Sequence, residues 1–195
     1  MSEKTLDSNY WSNRYKNKDA PWDIGYANPS IIDFFKDKPK DAKILVPGSG
    51  NAYEVAALRA LGFTQVHLLD FSVEPITTFK NKNPEYPSEL IHHGDFFEHH
   101  GEYDYIVEQT FFCALNPSLR SNYVEQCKKL LKPGGYLVGV LFNAPLNDSH
   151  PPFGGCEEEY RQLFVDFSIQ LMENNRNAIK PRADRELFIL LQKGL

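Results

Sequence analysis

The apolar run Lys43-Ile44-Leu45-Val46-Pro47 breaks at Gly48-Ser49-Gly50, and a second apolar run ends at Asp70. A strand that breaks at a Gly-x-Gly turn lets the backbone approach a ligand closely. A carboxylate about 20 residues on is placed to grip a ribose diol. Dinucleotide sites want a third glycine, so that the helix carrying the pyrophosphate packs tightly on its strand; this chain has Tyr53 there. A cofactor with a ribose and no phosphate, such as S-adenosylmethionine, needs the turn and the carboxylate but not that glycine.

Other residue types extend the same chemistry. Gly94-Asp95-Phe96-Phe97 offers an acceptor for an adenine amino group, Asp95, beside a flat apolar ring, Phe96. Trp11, Tyr15 and Trp22 stand in an N-terminal stretch that also holds Tyr10 and Tyr26, more large aromatics than a solvated tail needs. Their faces suit a sulfonium, with cation-π attraction of about 0.5–2 kcal/mol each when desolvated. Each feature also has a purely structural reading: a strand-to-helix turn, core phenylalanines, and an apolar strap closing a sheet. No general base stands out. Glu108 ends an apolar run, but its carboxylate reads equally as a structural partner for an Arg or Lys. His92-His93 and His99-His100 fit no standard metal-ligand spacing, so no metal is expected. Cys113 has no histidine partner in view and reads as a small buried side chain.

These residues need a scaffold, and the pattern supplies one. Strands are expected at 43–47, 65–69, 89–92, 103–107 and 136–142. Helices are expected at 29–38, capped by Asn28, and at 51–61, 72–80 and 117–131. Alternation of strand and helix implies a parallel sheet with helices on both faces. Lys132-Pro133-Gly134-Gly135 reads as the turn ending the last of those helices. A Pro/Gly-rich loop at 143–155 is longer than most connections. A helix at 157–163 and strands at 164–172 and 186–192 follow, closing a seven-stranded, mostly parallel α/β sheet with an antiparallel hairpin. Ligands of such sheets bind outside the carboxyl ends of the strands, where Gly48, Asp70, Asp95 and Gln109 all fall.

Length and composition bound the remaining choices. At 195 residues, with 42% apolar and 24% charged side chains, one domain over 1–195 is expected, with 1–30 as an aromatic strap over the cofactor site. The net charge of -5 comes without a concentrated basic stretch, so a small-molecule partner is expected rather than nucleic acid. No run of about 18 apolar residues or leader-like segment is present, and the three cysteines lack disulfide or zinc spacing. A cytoplasmic protein without membrane attachment, monomeric or weakly self-associating, is the expectation.

Taken together, Trp11-x-x-x-Tyr15, Pro21-Trp22-Asp23-Ile24-Gly25, Leu45-Val46-Pro47-Gly48-Ser49-Gly50, Leu69-Asp70-Phe71-Ser72, Gly94-Asp95-Phe96-Phe97, Thr110-Phe111-Phe112-Cys113-Ala114-Leu115 and Leu131-Lys132-Pro133-Gly134-Gly135 resemble the thiopurine methyltransferase superfamily, most closely its thiol and halide methyltransferases. The resemblance runs from Tyr10 to about Leu191. It implies a class I, Rossmann-like methyltransferase domain using S-adenosylmethionine. Cofactor contacts would fall on Trp11, Tyr15, Trp22, Gly48, Gly50, Asp70, Asp95, Phe96 and Gln109. Tyr15 stands where related chains usually have tryptophan, and Gln109 where they commonly have a cofactor-contacting tyrosine. The implied activity is methyl transfer to a small soft nucleophile, a thiol or halide. A thiopurine-type or other heteroatom acceptor is the alternative, and a nicotinamide oxidoreductase or a non-catalytic S-adenosylmethionine-binding protein are the rivals from other classes.

Overall fold

The computed structural model describes residues 6–195, so the first five residues of the expected strap lie outside the described residues. Seven strands, β1 (Lys43–Pro47), β2 (Gln65–Asp70), β3 (Ile91–His93), β4 (Tyr103–Gln109), β5 (Leu131–Phe142), β6 (Phe167–Asn174) and β7 (Glu186–Lys193), form one sheet in the order β3-β2-β1-β4-β5-β7-β6. β1 to β5 are mutually parallel, and β7 runs antiparallel to both β5 and β6. Among the described residues the six α-helices are α1 (Ser8–Lys16), α2 (Pro29–Phe35), α3 (Tyr53–Ala60), α4 (Val73–Lys82), α5 (Arg120–Leu130) and α6 (Glu157–Leu163).

Both faces of the sheet are covered, and the period of a strand divides the apolar residues between them. Ile44 and Val46 of β1, with Val66 and Leu68 of β2, pack on Ile31, Val55, Leu58, Ile76 and Phe79 of α2, α3 and α4. The intervening Leu45 and Leu69 face a second core with Tyr123, Val124, Cys127 and Leu130 of α5 and Tyr160 of α6. Burying side chains of this size stabilises the fold by about 1.5–3 kcal/mol each.

Several boundaries depart from the sequence expectation. α1 forms where no helix was expected: Asp7 caps it by accepting from the Tyr10 amide at 2.9 Å, and none of its residues is fully buried. The third strand starts later, because Ser88–Leu90 makes a 3-10 turn. The Lys132–Gly135 turn is absorbed as an irregular lead into β5, where pairing jumps from Tyr103↔Leu131 to Tyr105↔Tyr136. β6 begins at Phe167 rather than 164, since Phe164 closes α6 and is fully buried. Among the described residues no helix is long and apolar enough to cross a membrane.

A histidine stack lies beneath the β2–β3 edge. His67 Nδ1 is 2.9 Å from His92 Nε2, the His92 and His99 rings are 4.9 Å apart, and His99 Nε2 is 2.7 Å from the Tyr103 hydroxyl. Burial, with His92 and Lys43 nearby, lowers His67 from 6.5 to about 4; burial, with His92, His100 and Lys43, lowers His99 equally. These rings stay neutral in the folded protein while the unfolded chain protonates near 6.5. Stability is therefore complete above that pH and is lost as pH falls toward 4. Thermal melts of His67→Phe are expected to show a shallower decline over that window than the parent; equal slopes would remove the cluster as the cause.

Candidate functional site

The carboxyl ends of β1, β2, β4 and β5 open into one cleft of about 1280 Å³. Because β7 is antiparallel, its first residue, Glu186, pairs with Phe142 at the end of β5, and the loop before β7 joins the same rim. All nine residues expected to contact the cofactor line this cleft.

The glycine turn is held from both sides. Gly48 and Gly50 have φ of 55° and 50°, in the left-handed region that glycine enters freely. A side chain at Gly48 would run into the Phe111 ring, and one at Gly50 into the Tyr15 hydroxyl. Asp70, 6% exposed, accepts from the Gly50 amide at 2.9 Å and from the Ser72 amide at 2.8 Å. Burial raises its carboxyl, and the two amides oppose that shift. A carboxylate has about four lone-pair sites, so two remain for a diol. Tyr53, in place of a third glycine, donates its hydroxyl to Asp23 at 3.3 Å, and Asn51 donates to the same carboxylate. That position thus fastens the strap rather than admitting a pyrophosphate.

The strap itself is an aromatic cluster. Trp22 meets Trp11 edge-on at 5.3 Å and Tyr15 at 5.9 Å, while the Arg14 guanidinium sits 4.6 Å from the Trp22 ring centroid. One face of Trp22 is thus already stacked on a cation. Burial, and next the charge of Asp70, push the Tyr15 hydroxyl up, so it stays a neutral phenol. Just after β3, Asp95 is exposed, with one carboxylate oxygen accepting from the Phe97 amide at 2.9 Å. Phe96 is 4% exposed and its ring is largely occupied with Phe111 and Tyr123, whereas its neighbour Phe97 is half-buried at the same wall.

At the end of β4 two adjacent side chains take opposite roles. Gln109 faces the cleft and accepts from Asn28 Nδ2 at 3.0 Å; the Asn28 amide in turn donates to Glu54 at 2.9 Å. Glu108 points into the core. Its carboxylate accepts from the Phe111 and Phe112 amides, each at 2.9 Å, and from the Tyr123 hydroxyl at 2.7 Å. Burial raises it from 4.5 to about 7. Glu108 therefore shapes the turn after β4 and does not touch the cleft. Glu108→Ala would strand three buried donors, a loss of about 3 kcal/mol or more. Thermal denaturation is expected to show that loss, and an unchanged melting temperature with a collapsed kcat would instead mark it as a base.

Thr110, next in line, has φ of 59°, a strained conformation for a β-branched residue at the rim of the cleft. Cys113 is buried and its thiol is raised by burial first and by Glu108 second. Sequence reasoning missed Arg182 and Arg185, which line the cleft from the loop before β7. No local pattern distinguishes them from solvated surface arginines. Among the described residues no group of three or more His, Cys, Asp or Glu side chains is disposed to hold a metal ion.

The donor set fits S-adenosylmethionine: a buried carboxylate with spare acceptor sites, a glycine cradle with the Ser49 hydroxyl left without a partner, and an aromatic lid. Comparison with known proteins points the same way. The Burkholderia thailandensis 1,6-didemethyltoxoflavin-N1-methyltransferase, solved with bound S-adenosylhomocysteine, superposes with a TM-score of 0.77 at 16% identity, covering 96% of this chain and 87% of that one. The chain is 31% identical over 196 residues to probable thiol methyltransferase 2 of Arabidopsis thaliana, covering 95% of this chain and 84% of that protein. It is 24% identical to thiopurine S-methyltransferase of Vibrio campbellii, covering 97% and 93%. Residues 6–189 match the thiopurine S-methyltransferase family. The chain belongs to that family and is an S-adenosylmethionine-dependent methyltransferase.

Proposed function

We propose that this enzyme transfers methyl to a small soft nucleophile, a thiol or a halide-like anion. One observation carries the reading: the cleft continues past the Asp70 and glycine-turn end into an apolar wall of Leu115, Phe142, Leu146, Pro151 and Pro152. Such a wall suits a weakly hydrated acceptor and excludes water from the reacting centre. The bound cofactor supplies a sulfonium methyl open to in-line displacement. Asp70 takes the ribose hydroxyls, Gly48 and Gly50 let the backbone approach, and Asp95 with Phe96 and Phe97 frames the adenine. Gln109, fixed by Asn28, and the rings of Trp11, Tyr15 and Trp22 close over the reacting end.

Relatives named for thiol and thiocyanate methylation support this acceptor class. A thiopurine-type acceptor is the second reading, favoured by the Vibrio relatives and by a cleft roomy enough for a bicyclic ring. The family excludes the nicotinamide alternative. We further propose that the whole chain acts as one domain, monomeric or weakly self-associating. Its unbridged cysteines suit a reducing compartment such as the cytoplasm. The deciding experiment is a methyl-transfer screen with iodide, bisulfide, thiocyanate, small thiols and a thiopurine. Turnover of the thiopurine alone would replace the first reading with the second.

A further inference from the structure

The strand order β3-β2-β1-β4 lays the cleft out as a row of strand ends. Asp95 follows β3, Asp70 ends β2, the glycine turn follows β1, and Gln109 ends β4. Neighbouring strands lie about 4.8 Å apart, so a ligand held by its ribose at Asp70 reaches the β4 end with an arm of about 10 Å. S-adenosylmethionine carries such an arm, ending in an ammonium and a carboxylate. Both charges need hydrogen-bonding partners in a largely buried site.

Asn28, 2% exposed, sets an acceptor and a donor at the cleft without lining it. Its backbone amide donates to Glu54 Oε1 at 2.9 Å, and Glu54, 5% exposed in the first turn of α3, lines the cleft. Its side chain decides which way the Gln109 amide turns. The Ser30 amide can only donate, and it bonds Asn28 Oδ1 at 3.0 Å, so Asn28 Nδ2 is the atom that faces Gln109. That donor takes Gln109 Oε1 at 3.0 Å and leaves the Gln109 NH2 group for the cleft. The tyrosine common in related chains has a hydroxyl that both donates and accepts, so this fixed direction belongs to the glutamine.

The arrangement is braced from behind. Ser30 Oγ donates to Asn175 Oδ1 at 2.6 Å, and Asn175 Nδ2 donates to Glu186 at 3.2 Å. The arginines nearby are engaged elsewhere: Arg14 with Asp19 and the Tyr10 hydroxyl, and Arg182 with Glu186 and the Trp22 carbonyl, the last at 3.0 Å. Burial raises the Glu54 carboxyl, and a cation beside it would favour its charged form.

We propose that Asn28 is a positioning residue for the amino-acid end of the cofactor: it aims the Gln109 NH2 group at the carboxylate, while Glu54 takes the ammonium. This rests on Asp70 holding the ribose and is independent of the acceptor class. Calorimetry with S-adenosylhomocysteine, its decarboxylated amine and 5′-methylthioadenosine, which lacks the amino-acid end, tests it. Gln109→Leu is expected to weaken S-adenosylhomocysteine about tenfold or more and to leave the other two within about twofold. Glu54→Gln keeps an acceptor for the Asn28 amide and is expected to weaken the first two while sparing 5′-methylthioadenosine. Asn28→Ser retains a helix cap but is too short to reach Gln109, so S-adenosylhomocysteine is expected to weaken about fivefold with the thermal melt little changed. Combined with Gln109→Leu it is expected to add no further loss, because it acts through that side chain. Additive losses, or equal losses for S-adenosylhomocysteine and 5′-methylthioadenosine, would mark these residues as shaping the cleft only and overturn the proposal. Equal affinity of the parent for those two ligands overturns it as well and leaves the ribose placement standing. Were Asp70→Ala to bind 5′-methylthioadenosine as the parent does, the ribose placement would fall and this proposal with it.

Discussion

Asp70→Ala is expected to weaken S-adenosylhomocysteine binding by a factor of about 100 or more, since two charge-assisted hydrogen bonds to a ribose diol contribute roughly 1.5–3 kcal/mol each. The same carboxylate also pins the Gly50 and Ser72 amides, so the substitution loosens the turn as well as removing the grip. Asp70→Asn separates the two. It keeps the size and one acceptor oxygen, but its amide nitrogen must face one of the two backbone N–H groups. Calorimetry on both variants, beside their thermal melts, reads the outcome. Native-like affinity in Asp70→Ala would remove Asp70 as the ribose anchor, and equal losses of affinity and stability in both would reduce it to a turn residue.

Gly139→Ala is expected to have the largest effect on the fold. Gly139 stands in β5 opposite Glu108 of β4, and a Cβ there would lie 2.7 Å from the Glu108 carbonyl carbon and 2.8 Å from its amide nitrogen. The obstacle is the backbone of a central strand, which cannot swing aside as a flexible side chain would. Overpacking costs about 1–3 kcal/mol and more where nothing can yield, so a loss of about 3 kcal/mol is reasonable here. For a chain of this size that lowers the melting temperature by roughly 6–12 °C. The strain falls beside Glu108 and Gln109, so cofactor affinity is expected to drop with it. A melt within a degree or so of the parent would show that β4 and β5 separate at little cost.

The glycine-turn end of the cleft was legible in the sequence because its signals are local. The β1 turn, Asp70 and Asp95 each sit where an apolar run stops, and runs such as Ile44–Val46 are buried on both faces. α1 escaped notice because it buries no residue fully; its order comes from Trp22 and from the Lys16–Glu74 ion pair at 2.9 Å, which sequence spacing does not encode. The end over β5 and β7 was harder still. The loop at 143–155 announced itself by length, but Arg182 and Arg185 become site residues only because β7 turns antiparallel beside β5. Glu108 and Gln109 show the limit sharply. Two neighbouring strand-end residues look equivalent in sequence, and the pleat sends one to the core and the other to the cleft.

The hydrogen bond from Arg182 to the Trp22 carbonyl joins residues 160 positions apart. Residue 22 is made well before residue 182, while the strap's bonds from Asn51 and Tyr53 to Asp23 come from nearer in the chain. Until the loop before β7 is made, the strap's links to the rest of the chain include those to Asn51, Tyr53 and Glu74. A chain stopped before the loop at 180–185 would keep the glycine turn, Asp70 and the Asp23 bonds to Asn51 and Tyr53, and would lack the bond from Arg182 to the strap.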